Sequence, residues 1–424
     1  MHNKNVALHP PKGWNSWDCY GASVTEAEVL GNAEYMAKHL KEYGWEYVIV
    51  DIQWYEPLAT SSLYNDFYPL EMDQYSRLIP ATNRFPSAKD GQGFKPLADK
   101  IHQLGLKFGI HIMRGIPRQA VHQNTALLGT TQTAREIAHS NSICPWNTDM
   151  YGINPSQEGA QAYYNSLFDL YASWGVDYIK VDDIAASRLY DIHLAEIEMI
   201  RIAIDQCGRP MILSLSPGPA PLEHSNFLKQ QANLWRMTDD FWDRWDHLYP
   251  MFERCKHWAQ HVGAGHWPDC DMLPLGHIGI RSVDGGGTDR YTRFTKDEQK
   301  TMMTLWCLFR SPLMFGGELR DNDPWIFCLL THNVLLEMHT NITKSYELSR
   351  QNDKIIWIGL AGEITYVGLF NATEQETEIE LALDEIGLAD KEYVLDVWSE
   401  QPLITHPKLN FQIPKHGVKL LKIK

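Results

Sequence analysis

One unit recurs along roughly the first 220 residues and narrows the possible folds more than any other feature: a helical stretch, a Gly near its end, an apolar run, then a polar residue. In the first copy, Thr25 and Glu28 have the spacing of a capping box, in which each side chain satisfies a backbone N–H at the helix start. Val29, Ala33, Met36 and Leu40 follow at helical spacing, Gly44 suits the left-handed position after a helix, and Tyr47, Val48, Ile49 and Val50 run apolar up to Asp51. The second copy has Leu97, Ile101 and Leu104 on one face, then Gly105 and a strand over 108–110 that ends at His111. The third runs through Tyr164, Leu167, Phe168 and Tyr171 to Gly175, with a strand over 178–181 ending at Asp182 and Asp183. The fourth spans 189–204, passes Gly208 and gives a strand over 211–213 that ends at Ser214 and Ser216.

Continuous apolar strands alternating with helices predict a parallel sheet covered on both faces. Further strands at 13–17, 234–237, 266–272 and 312–315 bring the total to eight, the number an α/β (β/α)8 TIM barrel needs. A doubly wound open sheet is the alternative. Thr295 and Glu298 form a second capping box, opening a last barrel helix through Leu305, Trp306 and Phe309. After about residue 335 the pattern changes to short strands at 355–360, 364–369, 376–383, 392–398 and 417–423, with no long helix between them. That is the signature of an antiparallel β-sandwich. The expected division is a catalytic barrel over 1–334 and a β domain over 335–424.

Charge excludes several partners. With 53 Asp and Glu against 38 Lys and Arg, the net charge is −15, which argues against binding nucleic acid or an anionic membrane surface. No run of about 18 apolar residues occurs, so no membrane span is expected. The first residues lack the apolar core of a secretory signal. The Cys count of seven is odd, with no C-x-x-C, which fits neither a disulfide framework nor a zinc site. A reduced, cytoplasmic setting is the expectation, and a homo-oligomer stays open. The run Gly285, Gly286, Gly287 is not followed by Lys and Ser or Thr, so it is a surface loop and no P-loop.

Polar residues at strand C-terminal ends meet at one mouth of a barrel, so carboxylates far apart in sequence can face each other there. Asp51, Asp182, Asp239, Asp240, Asp269 and Asp271 occupy such places. Glycoside hydrolysis needs two carboxylates, about 5–5.5 Å apart when configuration is retained and about 6.5–9.5 Å apart when it is inverted. Lys180 points the same way along its strand as Asp182, and its ammonium would keep that carboxyl ionised. Arg236, four residues before Asp240, could hold a substrate hydroxyl or the acid/base. Asp183 suits a helix cap. A metal site built from Asp51, His111, Asp182, Asp269 and Asp271 is the weaker reading, since no H-x-x-x-H or paired acidic loop supports it. Trp17, Trp54, Trp235 and Trp267 fall beside these carboxylates, where indole faces can serve as sugar platforms.

The segments Pro11-Lys12-Gly13-Trp14-Asn15-Ser16-Trp17, Lys180-Val181-Asp182, Trp235-Arg236 with Asp240, and Trp267-Pro268-Asp269-Cys270-Asp271-Met272 resemble the motifs of the melibiase-type glycoside hydrolases, a family of α-galactosidases and α-N-acetylgalactosaminidases. The similarity runs over most of the chain. It implies a (β/α)8 barrel with an antiparallel C-terminal domain, and retaining double displacement on a small saccharide or glycan terminus without metal or cofactor. By position, the resemblance makes Asp182 the nucleophile and Asp240 the acid/base, with Trp17, Asp51, His111, Lys180, Ser216, Arg236 and Asp271 around the sugar.

Departures from the family pattern concern which sugar binds. The family has two consecutive acids after the second strand, holding the 4- and 6-hydroxyls of galactose, whereas this chain reads Asp51-Ile52. A Tyr of the family is replaced by His111, and the cysteines that follow the nucleophile are replaced by Asp183-Ile184-Ala185. The Ser214–Leu215 strand end continues into Ser216-Pro217-Gly218-Pro219, where small residues resemble the form that leaves room for a 2-acetamido group. The expected activity is an exo-acting α-glycosidase on α-galactosyl or α-N-acetylgalactosaminyl termini. The alternatives are a hydrolase or transglycosylase of another hexose or a pentose, such as a β-L-arabinopyranoside or an α-glucoside, and a silent sugar-binding protein.

Overall fold

The computed structural model describes residues 6–61, 63–186, 189, 191–282, 287–388, 393–404 and 406–424. Eight parallel strands form one sheet: β1 (Lys12–Asn15), β2 (Tyr47–Val50), β3 (Lys107–Met113), β4 (Tyr178–Asp182), β5 (Ile212–Leu215), β6 (Leu234–Arg236), β7 (Trp267–Asp269) and β8 (Leu313–Phe315). They neighbour one another in chain order, and β1 pairs with β8. The remaining gap closes just beyond β7, where Leu273 N–H donates to Met314 O at 2.8 Å and Gly316 N–H donates to Leu273 O at 3.0 Å. The sheet is therefore a closed ring without edges, as a (β/α)8 barrel requires.

The local signals act as their chemistry dictates. α1 (Glu26–His39) and α7 (Lys296–Phe309) each begin at a capping box, with Thr25 and Thr295 paired to Glu28 and Glu298. α3 (Glu158–Trp174) ends at Gly175, whose φ of +84° is one that residues with a Cβ rarely adopt. All four residues of β2 are buried, as expected for a strand covered by helices outside and side chains inside.

Three expectations shift. The third strand does not end at His111 but continues to Met113, pairing Ile112 with Val181 and Met113 with Asp182. A polar residue reads as a strand end in sequence, yet the interior of a barrel mouth can accept one. Trp17 lies in a short helical turn, Trp17–Tyr20, rather than in β1. The helix placed at 189–204 is Leu194–Gln206, so Asp183 does not cap it. Asp183 instead forms a buried ion pair with Arg114 at 2.9 Å. Of the glycine run, Gly285 and Gly286 lie outside the described residues.

After β8 the chain adds Pro324–Thr331 and Asn333–Asn341, both helical, and beyond them the regular elements among the described residues are strands. β9 (Lys344–Gln351), β10 (Lys354–Ala361), β11 (Ile364–Asn371), β13 (Val394–Asp396), β14 (Gln401–Leu403) and β16 (Val418–Ile423) make one antiparallel sheet, while β12 (Thr377–Ala382) and β15 (Lys408–Ile413) pair separately. Their facing sides enclose a second core around Val367, Leu369, Ile379 and Leu421. This β domain docks on α7. Thr301 Oγ1 donates to His416 O at 2.7 Å, Trp398 Nε1 donates to Thr304 Oγ1 at 3.1 Å, and the capping residue Glu298 also bonds His416 Nδ1 at 2.8 Å.

Candidate active site

The C-terminal ends of the barrel strands enclose a pocket of about 250 Å³. That is smaller than the roughly 300–1,000 Å³ usual for drug-sized ligands and suits one small ring. Trp17, Asp51, Lys180, Asp182, Arg236, Asp240 and Asp271 all border it. Strands in barrel order deliver them: β1 leads into Trp17, β2 into Asp51, β4 carries Lys180 and Asp182, β6 carries Arg236, and β7 leads into Asp271.

One side of the pocket is organised around Asp182. Its Oδ2 lies 3.0 Å from His111 Nε2, and its Oδ1 accepts the Asp183 N–H at 2.8 Å. Burial alone would raise its pKa, but the His111 hydrogen bond and charge, followed by the Lys180 charge, hold the carboxyl well below the usual range. Lys180 lowers the Asp182 pKa through its charge, as the strand spacing suggested, though without a direct bond. Its Nζ donates to Asp51 Oδ2 at 2.9 Å and reaches Asp182 only through space. Burial works against the ammonium, yet Asp51 and Asp182 together raise its pKa. Asp51 is fixed further by Asn15 Nδ2 at 2.7 Å and by its own N–H on Ser16 Oγ at 3.0 Å. The result is a chain of charges, Asp51 to Lys180 to Asp182, that keeps both carboxyls ionised.

The other side is organised around Arg236. Its two terminal nitrogens reach Asp240 Oδ1 and Asp271 Oδ1, each at 2.9 Å. Asp240 is 45% exposed in its side chain against 4% for Arg236, so one face of that carboxyl stays open to the pocket. Below them, Asp269 is buried and accepts the Asp271 N–H at 2.8 Å. Burial, then the Asp271 charge, pushes Asp269 up to about 7. Asp18 also borders the pocket, has an Oδ2 with no hydrogen bond in the described structure, and is raised well above a normal carboxylate by burial and then by Asp271. Seven carboxyls (Asp18, Asp51, Asp182, Asp239, Asp240, Asp269, Asp271) thus surround two permanent cations. The excess is relieved at Asp18 and Asp269, which no cation among the described residues bonds and which burial pushes toward the protonated form.

The expected site residues divide into two groups. Trp17, Asp51, Lys180, Asp182, Arg236, Asp240 and Asp271 meet at the pocket. His111 and Ser216 do not border it. His111 is buried behind Asp182, and the Ser216 hydroxyl donates to Val181 O at 3.3 Å beneath the floor. Of the four indoles beside the carboxylates, only Trp17 faces the pocket. Trp54, Trp235 and Trp267 are fully buried, with Trp54 Nε1 on His111 O at 2.7 Å and Trp267 Nε1 on Ala7 O at 2.8 Å. They are core residues, because an indole inside a strand or at its immediate end is covered by the surrounding helices.

Several pocket residues escaped sequence reasoning. Tyr64 and Trp146 extend the aromatic wall, with Tyr64 stacked against Trp17 at 6.4 Å and 5.7 Å from Trp146. Both come from long loops that carry no periodic signal. Phe241 and Trp242 could have been found, since they directly follow Asp240. Ile52 borders the pocket beside Asp51 and is 2% exposed.

Comparison with known proteins places this geometry. Residues 152–340 match the family model described as alpha galactosidase A, and residues 351–423 match the alpha galactosidase C-terminal beta sandwich domain. The crystal structure of a β-L-arabinopyranosidase from Geobacillus stearothermophilus in complex with arabinose superimposes with a TM-score of 0.99 at 63% identity, covering 100% of this chain and 99% of that one. A Bacillus halodurans protein described as a candidate α-N-acetylgalactosaminidase is 61% identical, with a TM-score of 0.90 and coverage of 99% and 98%. Alpha-galactosidase 3 of Arabidopsis thaliana is 24% identical over 97% of this chain and 80% of its own length.

Proposed function

The chain belongs to the melibiase family of glycoside hydrolases, and on that premise we propose that it is a retaining exo-glycosidase that releases terminal β-L-arabinopyranosyl residues. The observation that carries this reading is Ile52. β-L-Arabinopyranose is α-D-galactopyranose without its exocyclic CH2OH. Asp51, tied to Lys180, is in place to accept from a ring hydroxyl, while the neighbouring position offers a buried methyl-bearing side chain and no acceptor. A pentose leaves nothing unsatisfied against Ile52. A hexose would desolvate its 6-hydroxyl there, at a cost of about 1–3 kcal/mol. The Geobacillus protein of 63% identity is named for this same activity.

In this reading Asp182 is the nucleophile. Its suppressed pKa keeps it ionised throughout the working range, so it can attack the anomeric carbon and form a glycosyl–enzyme ester. Asp240 gives a proton to the departing glycosidic oxygen. It then takes a proton from the water that cleaves the ester, and two displacements return the original configuration. His111 orients Asp182, and Arg236 orients Asp240 and Asp271. Asp18 and Asp269, pushed toward their neutral forms by burial, limit the negative charge gathered at the barrel mouth.

An acetamido-sugar reading would rest on the loop after β5. Within Ser214 to Ala220, Pro217 borders the main pocket, while Ser214 and Ser216 line an adjoining cavity of about 20 Å³ that shares Lys180, Arg236 and Asp271 with it and is too small for an acetamido group. The pentose reading is therefore preferred. The test is a panel of p-nitrophenyl glycosides: β-L-arabinopyranoside, α-D-galactoside, α-N-acetylgalactosaminide and α-D-glucoside. The β-L-arabinopyranoside is expected to have the highest kcat/KM by at least tenfold. A higher value for the galactoside or the acetamido sugar refutes the assignment.

A further inference from the structure

A second cavity, of about 640 Å³, lies on the same face of the barrel, between the loops that follow β2 and β3. A thin partition separates it from the sugar pocket. Tyr64 and Trp146 face the pocket, while Phe67 and Thr148, a few residues further along the same two segments, face the cavity. Phe67 N–H donates to Thr148 Oγ1 at 2.7 Å, which ties the two segments together. Three residues of chain span at most about 10–11 Å, so the second cavity begins within a short reach of the first.

Its chemistry is unlike the rest of this acidic protein. Arg118 and Arg135 line it, and neither has a carboxylate partner within ion-pair distance among the described residues. Arg118 Nε donates to Met150 O at 3.0 Å, and its guanidinium lies 4.8 Å from the Tyr151 ring centroid and 5.6 Å from that of Phe67. Arg135 bonds only the backbone oxygens of Val121 and His122, at 3.3 and 2.8 Å. Asp149 is the single acid lining the cavity, and its Oδ2 already accepts from Gln53 Nε2 and Tyr55 Oη, at 2.7 and 2.8 Å. In a chain with fifteen more acids than bases, two arginines lining one cavity, Arg118 over aromatic rings and Arg135 on backbone oxygens, with one acid between them that Gln53 and Tyr55 already hold, form an anion site. The Phe67 ring, 72% exposed, adds a flat face of the kind that stacks on a sugar ring.

We infer that this cavity binds a carboxylate-bearing sugar, a hexuronate unit of the same glycan whose terminal ring enters the first pocket. The inference rests on the reading of the first pocket as an exo-glycosidase site. It assigns the enzyme to acidic glycans, in which the guanidinium groups of Arg118 and Arg135 hold the uronate carboxylate and Phe67 stacks on its ring.

The experiment is calorimetric titration of the intact protein with trigalacturonate and, in parallel, with neutral galactotriose. The expected result is at least tenfold tighter binding of the acid, undisturbed by saturating L-arabinose. Binding should weaken at least tenfold in Arg118→Gln and in Arg135→Gln, and persist in Arg135→Lys, which keeps the charge. Thermal melts confirm that each variant is folded. Equal affinity for the two trimers, displacement by L-arabinose, or undiminished binding in both Gln variants overturns the inference. Turnover of p-nitrophenyl β-L-arabinopyranoside is read separately. Failure of the first-pocket reading therefore shows as absent turnover with acid binding intact.

Discussion

Replacing Ile52 with Asp should convert the pocket's preference from the pentose to the hexose. The substitution puts an acceptor where the 6-hydroxyl of galactose would lie, next to Asp51, which keeps its bonds to Lys180 and Asn15. A hydrogen bond to a charged group is worth about 1.5–3 kcal/mol. With an arabinopyranoside the new carboxylate finds no partner and is desolvated, at about 1–3 kcal/mol. The two effects act in the same direction on the ratio of kcat/KM for galactoside over arabinopyranoside, giving about 2.5–6 kcal/mol. At about 1.4 kcal/mol per factor of ten, that is two to four orders of magnitude. Asp51 is itself an anion and opposes a second charge beside it, so the lower end is expected, about a hundredfold. The assay is initial-rate kinetics on the two p-nitrophenyl glycosides. Losing a buried Ile costs about 1.5–3 kcal/mol of stability, so a thermal melt accompanies it. The neutral Ile52→Asn covers the case in which the charged variant fails to fold. A folded variant whose ratio moves by less than threefold would refute the claim that Ile52 selects the sugar.

The remaining predictions concern the carboxylates. Asp182→Ala should reduce turnover at least about 10⁴-fold, and added azide or formate should restore part of it by entering the vacated space; turnover near the original rate removes Asp182 as the nucleophile. Asp240→Ala should retain far more activity on dinitrophenyl or p-nitrophenyl glycosides than on natural disaccharides, because a good leaving group needs no proton; equal losses on both would count against its role. Asp269 has a folded pKa of about 7 against an ordinary 3.8, so the folded protein holds a proton that the unfolded chain releases as pH rises through 4. Its favourable contribution is complete below pH 4 and is lost between pH 4 and 7, up to about 4 kcal/mol. Asp269→Asn should accordingly leave the melting temperature at pH 4.5 nearly unchanged and raise it at pH 8. A variant less stable at both values contradicts the protonated form.

Legibility tracked the range of the interactions involved. The capping boxes at Thr25 and Thr295, the helix end at Gly175 and the strand Tyr47–Val50 all depend on residues within a few positions of one another, and they form where local chemistry places them. The positions of Asp51, Lys180, Asp182, Arg236 and Asp271 at one mouth were also foreseeable, because a parallel barrel aligns every strand end on one side. Which groups bond was not. The strand period puts Lys180 beside Asp182, yet its ammonium goes to Asp51 across the barrel, and His111 takes the place at Asp182 because β3 runs on past it in register with β4.

By itself, then, the sequence determined the alternating architecture, the carboxylates of the site and the absence of a second acid after Asp51. These are consequences of periodicity, residue type and residue order. The tertiary structure alone decided that Trp54, Trp235 and Trp267 are core while Tyr64 and Trp146 form the sugar wall, that Asp18 and Asp269 are buried and pushed toward their protonated forms, and that Arg118 and Arg135 share a cavity with a single acid, Asp149. Burial and long-range charge pairing depend on the packing of segments tens to hundreds of residues apart, and no local pattern in the chain encodes that packing.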